Sequence, residues 1–73
     1  MTEYLIVIER AGNNFSAYSP DLPGCVATGA TLEEVRANMA EAIRMHIQGL
    51  KEDGLPVPQP ATIAERLSVD VAL

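Results

Sequence analysis

A chain of 73 residues makes one domain at most, near the size where a core needs a disulfide, a metal or a partner to be robust. One cysteine and one histidine exclude an internal disulfide and a Cys/His structural metal site, which leaves association. Ten acidic against five basic residues give a net charge of −5, which opposes contact with a phosphate backbone and suits a basic protein partner.

The first apolar run, Tyr4-Leu5-Ile6-Val7-Ile8, is continuous and β-branched and predicts a strand buried on both faces. It is too short for a signal sequence or membrane span, and the default is a soluble cytoplasmic protein. Gly12-Asn13-Asn14 predicts a turn, because both residue types tolerate positive φ. A second strand follows from Phe15 to Ser19, with Phe15 and Ala17 on one face and Ser16 and Tyr18 on the other. Pro20 and Pro23 cannot donate to a ladder, so Pro20-Asp21-Leu22-Pro23-Gly24 forms a corner. Cys25 to Thr28 is the third strand, ended by Gly29.

Thr31-Leu32-Glu33-Glu34 has the form of a capping box, in which hydroxyl and carboxylate satisfy two orphan amides. Leu32, Val35, Met39, Ala42, Ile43, His46, Ile47 and Leu50 then recur at three- and four-residue steps, an apolar helical stripe. Gly54 stops the helix, and Leu55 to Pro60, with three prolines, is a stiff connector. Val69, Val71 and Leu73 alternate with Ser68, Asp70 and Ala72, predicting a fourth strand.

The expected fold is α+β in the order βββαβ. A three-stranded antiparallel meander gains a C-terminal strand parallel to strand 1 through a right-handed crossover. The single helix covers one face of this mixed four-stranded sheet, although Leu5-Val7 and Ile6-Ile8 place apolar residues on both. The other face therefore calls for a second chain, and the protein is expected to be at least a dimer.

No constellation for catalysis is present. Cys25 would need an activating base, and the only histidine, His46, falls on the apolar stripe. A small thiol at a strand start is ordinary packing, and a nucleophilic one needs an electropositive site that an acidic chain does not favour. Glu9, Asp21 and Asp70 are the carboxylates that a residual nuclease would use with a divalent metal. They fall at strand ends, in the corner or alone, so no metal or cofactor is expected and the chain reads as a binding protein, not an enzyme.

Phe15-x-Ala17-x-x-Pro20-Asp21-Leu22-Pro23-Gly24-Cys25, followed by Thr28-x-Ala30-Thr31-x-x-Glu34, resembles the signature of HicB-like antitoxin domains. The likeness runs on through the amphipathic helix to Glu52-Asp53-Gly54-Leu55-Pro56-Val57-Pro58. The resemblance implies a βββαβ fold like a truncated ribonuclease H, without that enzyme's catalytic carboxylates. It also implies that the chain binds a small basic HicA-like toxin, a ribonuclease that cleaves mRNA, and blocks its active site. Pro20, Pro23, Gly24 and Cys25 are then structural residues of the corner. Asp21 and the helix acids Glu33, Glu34 and Glu41 are the candidate partner contacts. Complete members of the family commonly carry a C-terminal helix-turn-helix or ribbon-helix-helix segment. Residues 1–73 are expected to form a single domain with no separate DNA-binding part and no direct nucleic-acid binding. The alternative is a stand-alone oligomeric module with no toxin, binding another protein or a small ligand.

Overall fold

The computed structural model describes residues 1–73. The element order is β1 (Val7–Ala11), β2 (Asn14–Tyr18), β3 (Val26–Gly29) and α1 (Leu32–Glu52). The strands form one antiparallel sheet in the order β1-β2-β3, so the expected meander and the expected helix are both present. Strand β1 begins three residues later than the apolar run suggests, because β2 runs out first. Val7 already pairs with Tyr18, and Ala11 pairs with Asn14 across the Gly12-Asn13 turn. Arg10 stacks over the Phe15 ring, 4.8 Å from its centroid, directly across this hairpin.

The two faces of the sheet differ. Ile6, Ile8, Phe15, Ala17 and Ala27 join the core beneath α1. Val7, Tyr18 and Val26 lie in register on the opposite face, which no element covers. The core proper is Ala17, Leu22, Cys25, Val35 and Met39, and only 7 of 73 residues are fully buried.

Helix α1 starts at its predicted cap. The Glu34 amide donates to the Thr31 hydroxyl at 3.0 Å, and Glu33 and Glu34 lie in the first turn, where the helix dipole favours acids. It ends in a Schellman motif: Leu55 donates to the Leu50 carbonyl at 2.8 Å and Gly54 to Lys51 at 3.1 Å. Gly54 sits at φ 68°, a conformation that costs glycine nothing. At 21 residues the helix is about 31 Å long, whereas strands of four or five residues span about 13–17 Å. Its N-terminal half is therefore the packed half, carrying the buried Val35 and Met39. Ala42, Ile43, His46, Ile47 and Leu50 are only half-buried.

The helix meets β3 with almost no space between backbones. A Cβ on Gly29 would lie 2.5 Å from the Val35 nitrogen and 2.8 Å from its Cα. Asn38 adds a tie, donating from Nδ2 to the Thr28 carbonyl at 2.8 Å.

The fourth strand does not form in this chain. Residues 55–73 contain no strand and residues 59–73 are all exposed. The only backbone bond within residues 56–73 is local, Val71 to Val69. Alternating apolarity makes a segment able to be a strand, but a strand exists only when a neighbour accepts its ladder bonds. Here residues 61 and 62 are bonded to Asp21, in the loop after β2, and no ladder bond forms beyond them.

Substituting Gly29→Ala should destabilise the fold by about 1–3 kcal/mol in urea denaturation, because the added methyl meets backbone that cannot turn aside. An unchanged midpoint would show that α1 does not seat directly on β3.

Candidate partner-binding surfaces

The corner between β2 and β3 is a small hydrogen-bonded unit. Leu22 donates to the Ser19 carbonyl and Cys25 to the Leu22 carbonyl, each at 3.1 Å, and Ser19 closes the loop by donating to Cys25 at 3.3 Å. The Ser19 hydroxyl reaches across to the Leu5 carbonyl at 3.0 Å. Together these bonds thrust Leu22, wholly buried, and Cys25, 3% exposed, into the core. Burial pushes the Cys25 thiol above its ordinary value, which disfavours the thiolate that a nucleophile needs. Pro20, Pro23 and Gly24 line the exposed outside of the same unit. The bonds within the corner and the burial of Leu22 and Cys25 are what the Pro20–Cys25 stretch contributes to the packing.

Asp21 sits on that corner, yet its carboxylate is occupied by its own chain. Oδ1 accepts from the Thr62 hydroxyl at 2.7 Å. Oδ2 accepts from the Ala61 and Thr62 amides at 3.1 and 3.2 Å. A second tie lies just upstream, where the Tyr4 hydroxyl donates to the Pro58 carbonyl. Asp21 thus clasps the segment that follows the helix. Nothing local in the sequence signals a bond across 41 residues.

Glu33, Glu34 and Glu41 are exposed on α1. Glu34 and Glu41 are seven residues apart and share a face to within about 20°, while Glu33 lies roughly a quarter turn away. Arg44 pairs with Glu41 at 2.7 Å, but both side chains are more than 60% exposed, so the pair is screened and weak. The four candidate contacts are therefore not one cluster: three lie along the helix and the fourth holds the trailing segment.

The carboxylates weighed for a residual nuclease are also apart. Glu9 is on β1, Asp21 in the clasp and Asp70 on the exposed segment. No group of three His, Cys, Asp or Glu side chains is placed to hold a metal ion. No helix is long and apolar enough to cross a membrane.

Two apolar surfaces remain open. One is the Val7-Tyr18-Val26 row, with Tyr18 and Val26 41% and 64% exposed. The other is a groove of about 430 Å³ beside the overhanging half of α1. Tyr4, Ile43 and Ile47 form its half-buried wall, and Arg44, Gln48 and Lys51 its exposed rim. The groove was not read from the sequence, though an eight-member helical stripe above such short strands was a usable signal.

A family model described as the HicB-like antitoxin of bacterial toxin-antitoxin systems matches residues 4–70. An uncharacterized 14.9 kDa protein of Haemophilus phage HP1 is 37% identical over 65 residues, covering 89% of this chain and 49% of its own length. A UPF0150 protein of Synechocystis is 34% identical over 67 residues, covering 90% of this chain and 85% of its own. One from Helicobacter pylori is 41% identical over 49 residues, 67% of this chain and 68% of the relative. A chain of the solved HicA3 and HicB3 toxin-antitoxin complex superposes with a TM-score of 0.73 at 35% identity, over 82% of this chain and 70% of that one. The chain thus spans about half the length of the phage relative and most of the cyanobacterial one.

Two outcomes follow from the corner. The three bonds to Asp21, led by the Thr62 hydroxyl, hold its carboxyl below the ordinary value of 3.8. The carboxylate is the form they stabilise, so the clasp is intact above that value and opens as pH falls through the lowered one. The amide resonances of Ala61 and Thr62 should be constant from pH 8 down to about 5 and move only below about 4. For the thiol, Cys25→Ser should cost about 1–3 kcal/mol in urea denaturation, since it puts a more polar hydroxyl into a buried site. A variant as stable as the parent would refute the packing role.

Proposed function

The chain belongs to the HicB-like antitoxin family, and on that footing we propose that it binds and neutralises a small basic HicA-type toxin that cleaves mRNA. The observation that carries this reading is the likeness to a chain of a toxin-antitoxin complex over most of both chains. The net charge of −5 agrees with a basic partner. So does the exposure of Glu33, Glu34 and Glu41 on α1. In this reading those acids steer the encounter, and apolar surface holds the docked state. The chain acts by covering the toxin in the cytoplasm and carries out no chemistry of its own.

Self-association belongs to the same reading. Seven buried residues are few for 73, and two apolar surfaces stay open on the isolated chain. A second chain adds buried area without adding length. The ribonuclease H-like outline that the signature implies is completed when a fourth strand joins the sheet.

Binding is tested with a purified HicA-type protein in a catalytically dead form. Charge attraction acts over about 8 Å at physiological salt, so the association rate should drop at least about tenfold between ~10 and ~150 mM salt. The dissociation rate should change much less. Glu34→Lys with Glu41→Lys should slow association at low salt without altering the melting curve. A salt-independent rate would remove the acids from the encounter, and no binding at micromolar concentration would leave the stand-alone oligomeric module.

A further inference from the structure

Two unfilled features follow one another along the start of the chain, a groove at Tyr4 and an open edge at β1. The strand lies at the end of the β1-β2-β3 order, so the backbone groups on its outer side have no partner strand. Just upstream of it, the overhanging half of α1 and the residues before the strand leave the groove walled by Tyr4, Ile43 and Ile47. The segment after the clasp is the converse. Leu67, Val69, Val71 and Leu73 alternate with Ser68, Asp70 and Ala72 and are all at least 66% exposed. Its backbone has no ladder either. An edge without a strand and a strand without an edge therefore occur in one molecule.

We propose that residues 67–73 of one chain pair with the free edge of β1 in a second copy, seating Val69 and Val71 in that copy's groove, and that the exchange is reciprocal. This rests on the self-association proposed above and names the contact that makes it. The path of the chain selects the second copy over the first. The segment passes Tyr4 at Pro58 and is then clasped at residues 61–62 by Asp21. Asp21 belongs to the corner after β2, whereas the open edge of β1 faces away from β2. The segment is thus moving away from its own vacant edge when it leaves the domain. Its departure stretches the molecule to 50 × 27 × 21 Å, with a radius of gyration of 14.5 Å against about 11 Å for a compact chain of this length. The eleven residues beyond the clasp can reach about 36 Å, enough to cross to a neighbour. A two-fold axis then satisfies both edges, both grooves and both segments at once. A foreign strand in the groove would leave this chain's own four apolar residues in water.

The test uses the full chain, with one half of the sample carrying labelled methyl groups and the other half unlabelled. Sedimentation should give a dimer mass, and isotope-filtered spectra should show contacts between Val69 and Val71 methyls of one chain and Ile43 and Ile47 methyls of the other. Val71→Asp should raise the dimer dissociation constant about a hundredfold or more. The helical signal should persist, because Val35 and Met39 anchor α1 in the same chain. A monomer mass would overturn both self-association and exchange. A dimer whose segment contacts only its own chain, or neither chain's groove, would overturn the exchange and leave self-association standing, as would an unchanged dissociation constant for the variant.

Discussion

The contact on which the rest of this structure depends is the seating of α1 on β3 at Gly29. With no side chain between them, the first turns of the helix and the last residue of the strand approach to a separation that a single methyl would violate. That approach brings Val35 and Met39 down onto Ala17, Leu22 and Cys25, where each buried aliphatic side chain contributes about 1.5–3 kcal/mol. It also fixes where the helix begins relative to the sheet. A helix of 21 residues seated by its N-terminal half must overhang strands of four or five.

The overhang has consequences for every surface discussed above. It leaves the second half of the apolar stripe half-buried and opens a groove against Thr2 and Tyr4, upstream of β1. It carries Gly54 to the far end, where the Schellman motif and the prolines of residues 55–60 turn the chain back past Tyr4 to Asp21. The trailing segment is thus delivered to the corner instead of to the vacant edge. A small core and a displaced C-terminal segment have the same geometric cause.

Charge and apolar surface are separated in this small fold. The fields of the exposed acids of α1 reach about a Debye length and are weakened by salt. The Val7-Tyr18-Val26 row and the groove act only on contact, in proportion to the area they lose to a partner. Most of the chain is similar to a chain of the HicA3 and HicB3 complex. The corner that carries the family's signature serves the fold: it plugs the core with Leu22 and Cys25 and holds the trailing segment with Asp21.

Local chemistry made much of this legible in advance. The prolines that end β2, the Thr31 cap, the 3.6-residue stripe and the Gly54 stop each depend on near neighbours in the chain, and each appears in the fold where its residues stand. The Pro20–Cys25 signature was enough to name the family. What the sequence could not settle by itself were the relations between distant residues. Tyr4 to Ile6 read as strand but lie before β1, because their would-be partners are the corner. Residues 69–73 read as strand and form none, because a ladder needs a neighbour that the path of the chain withholds. Asp21 looked like a free surface acid and is a clasp, because Thr62 returns to it from 41 residues away. Capping and periodicity act within a turn or two of helix, whereas pairing, overhang and clasp depend on where the whole chain has gone, and only the tertiary structure decides that.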